Sequence, residues 1–256
     1  GRLQRLPQRG WALDGTLKLA GAPGAALAAA TVRGEISAAA NTITLDISQG
    51  KAQAHAALPL DQPTHAQIVL DNLPAAWLQG LAGTFWSGSL KAGRLDGELA
   101  LDLREDGMQA SGRFAARGLG FDTPDGSLAG EALGGSGRFG VDSRAGTTSL
   151  DLDASLHGGE VLAGGLYARL PAHAVQLALE ARAGAAGIEL PHLHVGDADA
   201  LVLDAALAFD PRGKLRSLGL KRLHADFPAA WERYGQVSAE AFGLGGASVR
   251  GALDAS

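Results

Sequence analysis

The sequence lacks cysteine, has few aromatic residues and contains no long apolar segment. The absence of cysteine from 256 residues excludes a disulfide framework, a zinc–thiolate centre and a cysteine nucleophile. Aromatic residues make up only 5% of the chain. The net charge is −5 and the sequence contains no block of basic residues, so we expect no nucleic-acid partner. No apolar run approaches the roughly 18 residues that a membrane-spanning helix needs.

The composition is that of a folded chain. Hydrophobic residues make up 46% of the sequence, which is enough to exclude a disordered protein. The chain starts at Gly1 and stops at Ser256 inside a patterned segment. We therefore expect a piece of a longer protein, with any targeting signals outside it.

Apolar and polar residues alternate along most of the chain, as when Leu150 and Leu152 flank Asp151. A period of two predicts β-strands with one apolar and one polar face. The residues expected to line the apolar face are Leu13, Leu17, Leu19, Ile43, Leu45, Ile47, Leu99, Leu101, Leu103, Leu150, Leu152, Val175, Leu177, Leu179, Leu201, Leu203 and Leu207.

Turn signals separate these strands and predict short, hairpin-like connections. They stand at residues 22–24, 105–107, 124–126, 143–146 and 210–213. Short helical connectors are predicted at residues 74–81 and 228–234, each with an Asx residue two positions before a proline. Trp77 and Trp231 are expected to anchor these connectors at sheet ends; the alternative is that each ring contacts a ligand.

The connectors also reveal a repeat. Residues 72–77 read Asn-Leu-Pro-Ala-Ala-Trp, and residues 226–231 read Asp-Phe-Pro-Ala-Ala-Trp, at an offset of 154. We expect a single elongated domain over residues 1–256, with a repeat unit at 72–225 and a truncated second unit at 226–256.

An alternating antiparallel sheet must cover its apolar face, as a sandwich, a closed barrel or a curled gutter. Many consecutive strands, few helices and monotonous turns favour the gutter. The predicted fold class is therefore all-β: a long curled antiparallel sheet, or β-groove, with repeated units and short helical connectors.

Chemical motifs are weak. Residues 135–140 match GxGxxG, but no helix is predicted after them, so they are interpreted as a strand end. His192 and His194, followed by Asp197 and Asp199, are too few for a metal site, and Asp151, Asp153 and Glu160 are interpreted as a solvated face rather than catalytic carboxylates. A calcium-like run at 122–126 is interpreted as a turn. We expect no catalytic residue, no metal, no cofactor and no enzymatic activity.

Strands of the form Leu-x-Gly-x-Leu occur at residues 13–17 and 95–99, and related Gly-containing strands at 110–114 and 137–139. In this style the chain resembles the AsmA-like group of envelope proteins, which includes the TamB, YhdP and YdbH families. The resemblance implies a periplasmic protein anchored in the inner membrane by an N-terminal helix outside this segment. It also implies a β-groove that carries phospholipid acyl chains toward the outer membrane and so contributes to envelope integrity.

Two other functions remain open. The first is a structural or adhesive β-solenoid segment of a surface protein, although such chains are more often rich in Asn, Thr and Ser. The second is a carbohydrate-active β-helix enzyme, although the short coil period of about 20 residues is not evident.

Overall fold

The computed structural model describes residues 2–6, 10–17, 30–83, 86–164, 166–241 and 248–255. Within them, 17 strands form one antiparallel sheet. The strands are β1 (Arg2–Leu6), β2 (Gly10–Leu17), β3 (Ala30–Ser37), β4 (Thr42–Gln49), β5 (Ala52–Pro59), β6 (His65–Pro74), β7 (Ser89–Arg104), β8 (Gly107–Asp122), β9 (Leu128–Arg144), β10 (Thr147–His157), β11 (Glu160–Ala163), β12 (Leu166–Arg169), β13 (Val175–Gly184), β14 (Gly187–Asp197), β15 (Leu201–Phe209), β16 (Leu215–Phe227) and β17 (Gly251–Ala255).

The sheet is a meander with one fork. Strands β1 to β9 pair in chain order, and β13 to β17 do the same. The fork lies at β9, whose first residues pair with β11 and whose remainder pairs with β10. Strand β10 then pairs with β13, while β12 pairs with β11. The predicted antiparallel meander is therefore present.

The turns lie where the sequence predicts them. The β7–β8, β9–β10 and β15–β16 connections fall on the turn signals at 105–107, 143–146 and 210–213. Gly146 and Gly213 have φ values of +79° and +76°, which glycine adopts without a Cβ penalty. The turn predicted at 22–24 lies outside the described residues.

One face of the sheet is apolar across most of its width. The strand register links one residue from each of twelve strands into a continuous row. The row runs Gly34, Leu45, Ala56, Ile68, Leu99, Gly112, Phe139, Leu152, Leu179, Leu193, Ala205 and Leu220. Fully buried side chains are mostly alanine, so this face is not packed into a thick core.

The opposite face carries a charged row in the same twelve strands. It runs Arg33, Asp46, His55, Val69, Glu98, Arg113, Arg138, Asp153, Ala178, His194, Asp204 and Arg222. Within this row, Arg113 Nη2 lies 2.9 Å from Glu98 Oε2 and Arg138 Nη2 lies 2.6 Å from Asp153 Oδ2. Exposed pairs of this kind add little stability but keep the face solvated.

The sheet is not strongly curled as a whole, so the curled gutter expected from the sequence is confirmed only as one long antiparallel sheet. The reason lies in where the ladder is interrupted. Strands β1 to β5 pair without a register shift, whereas shifts occur in the pairings from β6 to β9 and from β13 to β16. Because β-bulges supply most sheet curvature, bending is concentrated in these two regions.

Short helical connectors are present at both predicted positions. A 3-10 turn (Ala75–Leu78) and helix α1 (Gln79–Ala82) join β6 to β7. A π-helical turn (Trp231–Gly235) and helix α2 (Gln236–Ala241) follow β16, which pairs with β17. The two segments share the order strand, helical turn, strand, but the Phe227–Pro228 peptide is cis. The internal repeat stays a prediction.

None of the helices in the described part of the chain has the length and apolar character needed to cross a membrane.

Candidate functional site

Large apolar side chains are exposed mainly on the apolar face. Twelve such side chains are exposed among the described residues, and the register places nine of them on that face. The nine are Trp11, Ile36, Leu45, Leu103, Ile188, Leu215, Leu218, Leu220 and Leu253. Large apolar side chains exposed together on one face of a sheet are typical of a surface that a ligand or partner covers.

A cleft of about 910 Å³ opens on this face between β7 and β13. Its lining is mostly apolar and includes residues of five strands, β7, β8, β9, β10 and β13. The lining residues are Trp86, Leu90, Met108, Phe121, Leu128, Val141, Ser143, Gly146, Thr148, Leu150, Ala181, Ala183 and Gly184.

The cleft forms because the long strands bend. Met108 and Phe121 both line it, although they lie at opposite ends of β8. A straight strand would separate two residues 13 positions apart by about 43 Å. The bend coincides with register shifts in β7–β8 and β8–β9 and with Gly93 and Gly118, whose φ values are +107° and +60°. The two halves of β8 therefore face the same cavity.

Aromatic rings form one side of the cleft. Trp86 and Phe121 meet edge to face, with ring centroids 6.0 Å apart and an interplanar angle of 76°. Such a pair presents a rigid apolar surface to a ligand. Sequence reasoning missed both residues, since neither continues the Leu-rich alternation of its neighbours.

The register places the predicted lining residues on one face. Backbone pairing puts Leu13 opposite Gly34 and Leu17 opposite Ala30 on β3, while Leu19 lies outside the described residues. The remaining positions, from Ile43 to Leu207, fall on the apolar face defined above. Only Leu150 among them lines the cleft itself. Their role in binding stays a prediction.

The two tryptophans proposed as anchors lie in the helical turns. Trp77 is partly buried, and its Nε1 is buried without a hydrogen-bond partner among the described residues. The Trp231 ring lies against Gly235, where the Cβ of any larger residue would approach the ring to 2.8 Å. Both positions are compatible with anchoring at a sheet end, which stays a prediction.

A buried carboxylate ties the second helical turn to the apolar face. Asp197 ends β14 on the apolar side and is only 1% exposed. Arg233 Nη1 and the Tyr234 hydroxyl each donate to Asp197 Oδ2 at 2.7 Å, and His173 Nε2 lies 2.7 Å from Oδ1. A small apolar cluster of Ala200, Ala225 and Ala230 lies in the same region, and Tyr234 packs against it. Together these contacts hold the second helical turn against the end of β14.

The charge of Asp197 is stabilised where it is buried. Burial alone would raise the pKa of this carboxyl, but hydrogen bonds from His173, Tyr234 and Arg233 outweigh it and hold the pKa below its ordinary value. Burial and the neighbouring Asp197 carboxylate raise the pKa of Tyr234. Asp197 therefore stays ionised and Tyr234 stays a donor near neutral pH.

Sequence analysis grouped Asp197 with the histidines of β14, but the structure separates them. His194 Nδ1 lies 2.6 Å from Asp204 Oδ1 on the polar face, whereas Asp197 lies on the other face. No group of three or more potential metal ligands forms among the residues that the structure describes. The missed signal is the alternation of residues along β14. Asp197 follows Leu193 and Val195 at intervals of two, so it lies on the apolar face with them.

The structure places the other motifs on strands and in a turn. The GxGxxG run at 135–140, interpreted as a strand end, lies in the interior of β9. Asp151 and Asp153 are exposed on the polar face, and Glu160 lies 3.0 Å from the Arg169 guanidinium. Asp125 caps the β8–β9 turn, where hydrogen bonds from Thr123 and Ser127 lower its pKa to about 2.

No protein-family model, curated protein or solved structure matches the chain. The fold class, a single long antiparallel sheet, therefore rests on the strand pairing within this chain and not on similarity to another protein. The likeness to AsmA-like envelope proteins stays a prediction.

Proposed function

We propose that the apolar face of the sheet binds lipid acyl chains, and that the protein transfers phospholipid between the inner and outer membranes of a cell envelope. The observation that carries the proposal is the unbroken apolar row across twelve strands. Large side chains on the same face, such as Leu103, which is 52% exposed, remain uncovered.

Acyl chains need no more than this surface provides. Burying one methylene group contributes about 0.8 kcal/mol and requires neither a catalytic group nor a directed hydrogen bond. The charged row on the opposite face faces solvent, so one side of the sheet can carry lipid while the other stays hydrated. In this proposal the protein acts in the periplasm, anchored to the inner membrane by a segment other than the one described, and it is not an enzyme.

The proposal is tested by the lipid that copurifies with the protein from a bacterial periplasm, quantified by mass spectrometry. Leu103→Asp places a charge on the apolar face at a site already half exposed, so folding should change by less than about 1 kcal/mol. We expect it to reduce bound lipid several-fold.

Ser155→Asp is the matched control. Ser155 lies in β10 between Gln176 and Ser136 on the polar face, so this variant adds the same charge on the other side of the sheet. It should keep the lipid content of the unmodified protein. A lipid-free unmodified protein, or equal losses in the two variants, would refute the proposal.

A further inference from the structure

The cleft has one polar spot in its otherwise apolar lining. Ser143 and Thr148 are register partners across β9 and β10, and their hydroxyl oxygens lie 3.0 Å apart. The other side chains that line the cleft are apolar, and the remaining lining residues are glycines. A hydroxyl can donate to an ester carbonyl while accepting from its neighbour. The cleft is therefore built for a molecule with one polar end and a long apolar body.

The size of the cleft fits more than one alkyl chain. A methylene group is close in size to a water molecule, which occupies about 30 Å³. The cleft volume of about 910 Å³ therefore has room for roughly 30 methylene groups. The Trp86–Phe121 pair belongs to a different part of the lining from the hydroxyls, since Phe121 lies at the far end of β8 from Met108. Chain ends would lie against these rings.

The polar end of the cleft carries an excess of negative charge. The β7–β8 and β9–β10 turns meet there, and Ala145 N donates to Asp106 O at 3.2 Å. Arg104 and Arg144 lie 3.5 and 3.4 Å from the two carboxylate oxygens of Asp142.

The β7–β8 turn carries two further carboxylates. Glu105 and Asp106 are both exposed, and neither forms an ion pair with another described residue. Arg104, Asp142 and Arg144 alternate with the cleft-facing residues and lie on the polar face, so the unpaired charges of the β7–β8 turn are the Glu105 and Asp106 carboxylates. The local field is unfavourable for an anionic group and favourable for an ammonium group.

We propose that the cleft binds a diacyl phospholipid with a zwitterionic headgroup and discriminates against phospholipids with a net negative headgroup. The ester end lies at Ser143 and Thr148, the chains extend toward Trp86 and Phe121, and the headgroup ammonium lies beside Glu105 and Asp106. This inference rests on the proposed function, because it assigns an orientation and a lipid class to the same surface.

The test measures which of two phospholipids the protein binds from an equimolar mixture. Purified protein is incubated with mixed vesicles of dioleoyl phosphatidylcholine and dioleoyl phosphatidylglycerol, separated from them, and its bound lipids are quantified by mass spectrometry. We expect roughly a threefold preference for phosphatidylcholine at low salt, which weakens at high salt because the rim charges are exposed.

Charge reversal at the rim separates this proposal from simple apolar binding. The double variant Glu105→Lys with Asp106→Lys should abolish or reverse the preference. The control is Glu232→Lys with Glu240→Lys, which reverses two exposed charges in the second helical segment. It should retain the preference.

Removal of the hydroxyl pair provides a second readout. Ser143→Ala with Thr148→Val should lower total bound lipid at limiting concentrations and leave the headgroup preference intact. Equal amounts of the two lipids on the unmodified protein would overturn the headgroup inference and leave the proposed function standing. The absence of both lipids from the protein would overturn the proposed function itself.

Discussion

At the scale of single residues, Asp197 is the least expected feature of the apolar face. A carboxylate that is 1% exposed would be costly there without its three partners. Arg233, Tyr234 and His173 supply those partners from two other parts of the chain, the second helical turn and the β12–β13 connection. The cluster therefore fixes the position of that helical turn.

Asp197→Asn should destabilise the fold by about 3 kcal/mol, because it leaves the partly buried Arg233 guanidinium without its counter-charge. Asp153→Asn, which removes an exposed pair with Arg138, should cost less than about 1 kcal/mol. Urea unfolding of both variants measures the difference. Similar losses in the two variants would show that the Asp197 cluster does not stabilise the fold.

The same carboxylate predicts a pH dependence. Its pKa lies below the ordinary value of 3.8 in the folded state, so the unfolded chain binds more protons as the pH falls. The stability that Asp197 contributes should be complete above 3.8 and should disappear as the pH drops through the lowered pKa. Urea midpoints of the unmodified protein and Asp197→Asn should therefore converge as the pH is lowered below 3.8. A gap that stays constant as the pH falls below 3.8 would contradict the assignment.

At the scale of elements, strand β9 depends on glycine where it packs against β10. A Cβ on Gly137 would lie 2.4 Å from Asp153 O, whereas a Cβ on Gly140 would meet nothing within 4 Å. The register is otherwise regular at both positions. The strand therefore has room for a side chain at Gly140 but not at Gly137.

Gly137→Ala should destabilise the protein by roughly 1–3 kcal/mol, since the added methyl forces β9 and β10 apart. Gly140→Ala should be close to neutral or slightly stabilising, because alanine costs less backbone entropy on folding. Thermal unfolding of the two variants is the measurement. Equal shifts would mean that β9 and β10 do not pack as closely as described.

Alternation predicted six of the strands, β2, β4, β7, β10, β13 and β15, because a period of two follows directly from strand geometry. The turn signals likewise predicted four hairpins, β7–β8, β8–β9, β9–β10 and β15–β16. The pairing of β9 with both β10 and β11, the bend of β8 and the cleft depend on register shifts that leave little trace in composition. Trp86 and Phe121 were missed for that reason, since only the bend brings the end of β8 into the cleft with Met108.

At the scale of the whole molecule, one sheet separates an apolar face from a charged one over most of its width. The sheet is not strongly curled, so lipid would lie along an open face and in a local cleft rather than inside a closed groove. The central claim is that acyl chains occupy this face.

Photocrosslinking tests that claim most directly. The protein would be loaded with a phosphatidylcholine that carries a diazirine on its acyl chain, irradiated, and digested for mass spectrometry. Labels should concentrate on apolar-face residues such as Leu101, Leu103 and Leu150 and should spare polar-face neighbours such as Arg113 and Arg138. Labels confined to the polar face, or spread equally over both faces, would contradict the account.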